Sequence, residues 1–301
     1  MLHMRLETRA LALILFSAFT LANETRGAEE PTHLPAMAVV SPGVPGENKV
    51  VGDYAQPEWS ARRPFPGVSV YVAPAGQFEL EAGFQDATIP SGVHQREWTQ
   101  EFEAGLGHRW QAALENTWAN FREGSHPPLA WHENSLELSA RYALADWGKL
   151  PLNPAVGLGW RFNSGAPDAP VGQLVLGSEF TPRLHWAADF QYERQTGGRQ
   201  LRELSAATAL TYSVTNETLN VGLQAQWKRD LETAEAKSER TEIGPCIQYR
   251  PVDQLHVDCV ALWGTERSRS VHGLVLSVGF EFGPGADDHD DDREHAGHFG
   301  H

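Results

Sequence analysis

The chain has 301 residues, of which 41% are hydrophobic and 21% charged, and its formal net charge is −15 at pH 7. This acidic balance argues against a nucleic-acid-binding protein, which would carry a basic face, so we expect no nucleic-acid partner. The mean hydropathy of −0.40 excludes a bundle of transmembrane helices, because each such helix needs about 20 mostly apolar residues. It leaves open a transmembrane β-barrel, whose inward-facing strand positions can stay polar.

The first 28 residues have the layout of a secretory signal peptide. Arg5 and Arg9 precede an apolar run over 10–21, and small residues follow it. A basic start, an apolar core and a small-residue exit are typical of a cleaved signal. The run is short for a membrane anchor, so we predict export, with cleavage after Ala22 or near Ala28.

Residues 29–66 show no sustained period and contain seven prolines. Proline fixes φ and removes a backbone donor, which favours an extended chain outside any sheet. We therefore predict a proline-rich periplasmic linker over 29–66, followed by the membrane domain over 67–283.

Within 67–283, apolar and polar residues alternate over twelve segments, the period of a strand with two unlike faces. The segments are 78–85, 98–106, 109–121, 135–144, 154–163, 171–180, 186–193, 202–213, 219–228, 240–250, 254–265 and 274–282. Most are about 10–13 residues long, which suits a tilted strand that crosses a membrane. The pattern predicts an all-β fold, a transmembrane antiparallel β-barrel of about twelve strands.

The links between these segments alternate in length. They are tight at 107–108, 181–182, 214–216 and 251–253, and longer at 87–94, 122–132, 164–170, 194–201, 230–239 and 266–270. Short periplasmic turns that alternate with longer outer loops are typical of bacterial outer-membrane barrels. One predicted periplasmic link, Asp146–Asn153, is longer than its peers.

Aromatic residues of outward parity fall at both ends of the predicted strands. They are Trp110, Trp186, Tyr212, Tyr249 and Phe282 at the periplasmic ends, and Trp98, Tyr192, Trp227 and Trp263 at the outer ends. Aromatic rings gather at the two membrane interfaces. We therefore predict a protein of the cell outer membrane, with outer-membrane lipid and the barrel-insertion machinery as partners.

The sequence that leads into the first strand resembles a known family. Arg63-Pro64 is followed by Val72-Ala73-Pro74-Ala75-Gly76-Gln77 and then by Phe78-Glu79-Leu80-Glu81-Ala82-Gly83-Phe84. This run is similar to the opening of the outer-membrane transporter family named for the meta-pathway of phenol degradation. Glu79 stands where that pattern has Gln, whereas Glu81 and Gly83 match it. The resemblance implies an outer-membrane barrel that passes small, often hydrophobic or aromatic, compounds.

Strand parity predicts an acidic lumen. The predicted lumen-lining residues are Glu79, Glu81, Glu101, Glu103, Glu115, Glu137, Arg141, Arg161, Glu179, Asp189, Glu193, Lys228 and Asp258. An acidic, water-filled lumen favours cations over anions. We predict a porin-like channel for passive passage of small solutes, with a cation or hydrophobic bias. The alternative is a non-conducting structural or interaction barrel that presents its loops and its tail.

We predict no enzyme and no cofactor, because outward Ser178 and Thr208 have no outward histidine at a neighbouring position. A loop protease built on an Asp/His pair stays an alternative.

The C-terminal tail, residues 284–301, contains six acids and one arginine, and such a block is expected to be disordered. Its histidines His289, His295, His298 and His301 suit weak binding of Zn²⁺, Cu²⁺ or Ni²⁺. The alternative is a solvated acidic tail.

Cys246 and Cys259 flank the turn at 251–253, and export allows a disulfide between them. Their parities place them on opposite faces, which forbids a bridge. A bulge at Pro245 would reverse the parity of one of them, so the disulfide stays open at this point.

Overall fold

The computed structural model describes residues 50–88, 93–123, 130–198, 200–215, 218–231, 239–266 and 269–283. Two short strands and one helical turn come first: β1 (Val50–Val51), β2 (Gln56–Pro57) and α1 (Glu58–Ala61). Twelve long strands follow: β3 (Phe78–Thr88), β4 (Val93–Gly107), β5 (Trp110–Glu123), β6 (His132–Ala143), β7 (Ala155–Asn163), β8 (Ala169–Thr181), β9 (Leu184–Arg194), β10 (Arg202–Thr215), β11 (Leu219–Asp230), β12 (Glu239–Val252), β13 (Leu255–Glu266) and β14 (Arg269–Phe282). No helix in these ranges is long and apolar enough to cross a membrane.

The twelve long strands form one closed antiparallel barrel, which confirms the predicted fold. Each strand pairs with its neighbours in sequence, and β14 closes the ring by pairing with β3, from His272↔Thr88 to Phe282↔Phe78. The strands run from 9 residues in β7 to 15 in β4. Closure gives each of these twelve strands a hydrogen-bonded neighbour on both sides and leaves no free edge among them, as a spanning sheet requires.

The barrel is apolar outside and polar inside. On β12, exposed Ile243, Ile247 and Tyr249 alternate with buried Glu242 and Gln248. Several predicted interface aromatics are exposed, namely Trp98, Trp110, Tyr192, Tyr212, Tyr249 and Trp263. Apolar side chains that no protein covers need lipid around them, because burying them in hydrocarbon removes their surface from water.

Residues 50–77, which we name the inner segment, lie inside the barrel, and this corrects the linker prediction for residues 50–66. Tyr54, Trp59, Phe65, Val70 and Tyr71 are all at most 5% exposed. They form one buried cluster with small side chains on the inner face of β6 to β10. The prolines suit an irregular chain, but the apolar residues between them are packed. Residues 67–77 belong to the same segment, so the barrel itself begins at Phe78.

The long periplasmic link has a structural reason. Between β6 and β7 it contacts the inner segment, since Trp147 donates a backbone hydrogen bond to the Tyr54 carbonyl at 2.8 Å. The Tyr71 hydroxyl donates to the Ala145 carbonyl from the other side. The predicted signal over 1–28, the linker over 29–49 and the tail with His289, His295, His298 and His301 lie outside the described residues.

Cys246 and Cys259 do not form the disulfide that the sequence leaves open, because both cysteines are free. Cys246 is buried and lies opposite Val260, whereas Cys259 lies opposite Ile247, which is exposed on the outer face. The register between β12 and β13 is the same on both sides of Pro245. No bulge therefore reverses the parity, and the two sulfur atoms point to opposite faces.

Candidate functional site

The lumen holds two adjoining cavities on the outer side of the inner segment. The outer cavity, of about 470 Å³, is lined by the outer halves of β3, β4 and β9 to β13. The central cavity, of about 320 Å³, lies deeper, and the inner segment contributes Arg63, Phe65, Val68 and Ser69 to its lining. Both cavities share Gly67, Asp189 and Gln191 in their linings, so they lie side by side above the inner segment.

Four glutamates form a row across adjacent strands of the central cavity. Glu81 on β3 pairs in register with Glu101 on β4, Glu101 with Glu115 on β5, and Glu115 with Glu137 on β6. We name these four residues the glutamate row. Directly opposed side chains have Cβ atoms roughly 5 Å apart, and like charges in such positions destabilise a sheet.

Only one end of the glutamate row is compensated by a cation. Arg161 is opposite Glu137 and donates to it at 2.8 Å, and it also forms an ion pair with Glu193. Glu115 accepts a 3.2 Å hydrogen bond from Thr117. Within the described part of the chain, Glu81 and Glu101 form no hydrogen bond and no ion pair, so the other end of the row keeps its excess of negative charge.

The structure places the predicted lumen residues on the inner face. Those that line the two cavities are Glu79, Glu81, Glu101, Glu103, Glu115, Glu137, Arg141, Arg161, Asp189, Lys228 and Asp258. The other two contact inward groups: Glu179 accepts from the Trp59 indole at 2.8 Å, and Glu193 pairs with Arg161. Lys228 forms a 2.8 Å ion pair with Glu203 near the outer end.

Arg63 is the charged anchor of the inner segment. It forms ion pairs with Glu79 at 3.0 Å and with Glu103, and it donates to Gln111 at 3.2 Å. Burial alone would lower the pKa of Arg63, but the carboxylates of Glu103 and Glu79 outweigh burial and raise it. The guanidinium therefore stays charged and holds the segment to β3 and β4.

A second arginine anchors the segment from the barrel side. Arg141 on β6 donates to the Tyr71 carbonyl at 3.1 Å and to the Ser69 hydroxyl at 2.9 Å. Nearby, the Trp59 ring stacks on His185 with centroids 4.2 Å apart. Burial raises the pKa of Tyr71 to about 12, so its hydroxyl remains a donor at neutral pH.

Sequence reasoning missed the inner segment as part of the lumen. Only the family resemblance singles out Arg63, and Trp59 lies within the predicted linker over 29–66. A usable signal existed: Val68, Val70, Tyr71 and Val72 form a dense apolar group before the first predicted strand. The group spans only five residues, so it predicts burial but does not show which part of the fold covers it.

The fold and the lumen define the class of the protein. A closed twelve-stranded barrel with an apolar outside and a polar inside is the fold of bacterial outer-membrane channels, and the cell outer membrane is where this fold resides. A family model described as "Putative MetA-pathway of phenol degradation" matches residues 63–280. The chain belongs to this family, and the match confirms the resemblance found in the sequence. No curated protein matches the chain.

A solved structure shows the same fold at low sequence identity, and others show weaker similarity. The chain is similar to an outer-membrane channel from Pseudomonas putida F1, with 11% identity and a TM-score of 0.53, over 72% of this chain and 99% of that one. It is also similar to the NanC porin, with 13% identity and a TM-score of 0.48, over 67% and 98%. The translocator domain of the autotransporter NalP from Neisseria meningitidis has 14% identity and a TM-score of 0.41, over 69% and 89%.

Proposed function

We propose that this barrel is an outer-membrane channel for passive passage of small solutes, with a preference for cations. The observation that carries the proposal is the charge of the central cavity, whose lining includes eight carboxylates and three arginines. Carboxylates in a narrow lumen with low-dielectric walls focus a negative potential, which concentrates cations and repels anions.

The side chains that line the outer cavity favour the passage of cations over the passage of aromatic solutes. The outer cavity is lined largely by polar side chains such as Gln85, Gln95, Gln191 and Gln226, and Trp227 is its one aromatic residue among those described. An apolar solute would leave these amides without hydrogen-bond partners, which disfavours its binding. A hydrated cation keeps them solvated.

The inner segment supports the rival function, a barrel that does not conduct. It lies at the periplasmic end, where it contacts both the long link and the inner wall. Passage of a solute into the periplasm therefore needs the segment to move. In the rival function the segment is a permanent structural filling, and the barrel presents its loops to other molecules.

Planar-bilayer recording separates the two functions. Under a KCl gradient, the refolded protein should give channels whose reversal potential favours K⁺. Glu101→Gln should reduce this preference, whereas Glu133→Gln, at the exposed outer end of β6, should leave it unchanged. Anion preference would refute the cation proposal. Absence of conductance, both in the wild type and in a variant with a loosened inner segment, would favour the structural barrel.

A further inference from the structure

A second cluster of side chains adjoins the glutamate row on the far side of β14. His256 and Asp258 on β13 approach Glu79 and Glu81 on β3, although β14 lies between these strands. The side chains of β13 and β3 can meet across β14 because the β14 residue between them is a glycine. Gly279 lies opposite both Glu81 and His256, and a Cβ there would be 2.0 Å from the His256 ring nitrogen.

His256 positions Asp258 but has no nitrogen left for a ligand. Its Nδ1 lies 2.8 Å from Asp258 Oδ2, and its Nε2 lies 3.1 Å from Glu79 Oε1. The Ser277 hydroxyl donates to the same Oδ2 at 3.2 Å. One oxygen of Asp258 is thus fixed by two neighbours.

The other oxygen of Asp258 has no partner. Asp258 is 3% exposed, and its Oδ1 is buried without a hydrogen bond. A buried carboxylate oxygen without a hydrogen bond destabilises the folded state, because it has lost its hydrogen bonds to water and no protein donor replaces them. Asp258 lines the central cavity, and one of its carboxylate oxygens, one carboxylate oxygen of Glu81 and one ring nitrogen of His256 lie within 4.8 Å of one another.

We propose that Glu81 and Asp258 bind a hard divalent cation such as Ca²⁺ in the central cavity, beside the negative charge of Glu101, which is opposite Glu81 in the register. The available ligands are carboxylate oxygens, which Ca²⁺ prefers, and Ca²⁺ accepts flexible geometries with several waters. The softer metals that favour imidazole are disfavoured, because both nitrogens of His256 are engaged. The ion would supply the positive charge that the Glu81–Glu101 end of the glutamate row lacks.

The site rests on the proposed function, because a lumen that conducts cations must first hold them. The two can nevertheless fail separately. Conductance with K⁺ preference but without Ca²⁺ binding would reject the site alone. Ca²⁺ binding by a barrel that never conducts would reject the channel and keep the site.

Calorimetric titration of Ca²⁺ into the refolded full chain in non-ionic detergent tests the site. We expect saturable binding that Asp258→Asn and Glu81→Gln each weaken at least tenfold. Glu133→Gln removes the same charge from the exposed outer end of β6 and should change the affinity less than twofold. Equal binding by all four proteins would assign Ca²⁺ to other acids, such as the tail, and would overturn the proposal, as would the absence of saturable binding.

Glu101→Gln covers the case in which a ligand variant fails to fold. Glu101 has like charges on both sides in the row and no ion pair, so its neutralisation should not impair folding. Without Ca²⁺ the variant should unfold at the same temperature as the wild type or higher. On addition of Ca²⁺ the wild type should gain more stability than the variant, because binding to the folded state alone is stabilising and the variant lacks the neighbouring charge. An equal gain in both proteins would contradict the site.

Discussion

Arg63→Gln should release the inner segment from the barrel wall. The substitution removes the cation between Glu79 and Glu103, which are 6% and 4% exposed. Removal of one partner from a buried ion pair costs about 3–5 kcal/mol. The lower figure applies here, because both carboxylates border the central cavity, where water can solvate them, and Glu79 keeps its contact with His256.

A loss of about 3 kcal/mol corresponds to roughly a hundredfold weaker docking of the segment. The assay is limited proteolysis of the refolded protein in detergent, with cleavage within residues 50–77 followed by mass spectrometry. The cleavage rate tracks the population of the open form when opening and closing are fast. Bilayer recordings of the same variant should show longer or more frequent open states.

The control is Arg96→Gln, which breaks an exposed ion pair with Asp86 whose side chains are 46% and 34% exposed. Such a pair contributes about 0–1 kcal/mol, so proteolysis should change little. Adding Glu103→Gln to Arg63→Gln should restore part of the protection, because one uncompensated carboxylate is then gone. Equal cleavage of Arg63→Gln and the wild type would refute the role of Arg63 as an anchor.

Three further substitutions or treatments test the packing. Gly177→Val should displace the segment at a cost of about 1–3 kcal/mol, because a Cβ there would lie 2.7 Å from the Val70 carbonyl oxygen; proteolysis measures the displacement. The control is Gly172→Ala on the same strand, where the nearest atom to an added Cβ is the Tyr192 carbonyl oxygen at 4.0 Å. Tyr71→Phe should weaken docking by about 1 kcal/mol through loss of its bond to Ala145, measured likewise. Electrophoresis with and without reductant should show one mobility, since both cysteines are free; a shift would contradict the register.

The barrel was predictable because its signal is local. Alternation along a segment such as 219–228 gives the strand, its two faces and, with the turn lengths, its direction. The same parity argument kept Cys246 and Cys259 on opposite faces. These inferences depend only on residues that are close in sequence. In a closed sheet of consecutive strands, each strand pairs with the next one in the chain, and only the pairing of β14 with β3 joins strands that are distant in sequence.

The inner segment was not predictable by this reasoning, because its contacts are distant in sequence. The Trp59 indole bonds to Glu179, 120 residues away, and the Arg63 carbonyl accepts from Gln248, 185 residues away. Proline spacing describes the backbone of 29–66 but not its environment. The long link at Asp146–Asn153 was visible as an exception, yet only the fold shows that it contacts Tyr54.

Docking of the inner segment and binding of Ca²⁺ to the proposed site should each weaken the other. Arg63 pairs with Glu79 and Glu103, which adjoin Glu81 and Glu101 across β3 and β4, so a Ca²⁺ ion in the central cavity would share its surroundings with the guanidinium. Two cations at such a short distance repel each other, and the coupling between two binding events is reciprocal. Arg63→Gln should therefore bind Ca²⁺ more tightly than the wild type, and Ca²⁺ should speed cleavage of the inner segment in the wild type. If Arg63→Gln binds Ca²⁺ no more tightly, water in the cavity screens the two sites, and divalent ions do not drive opening.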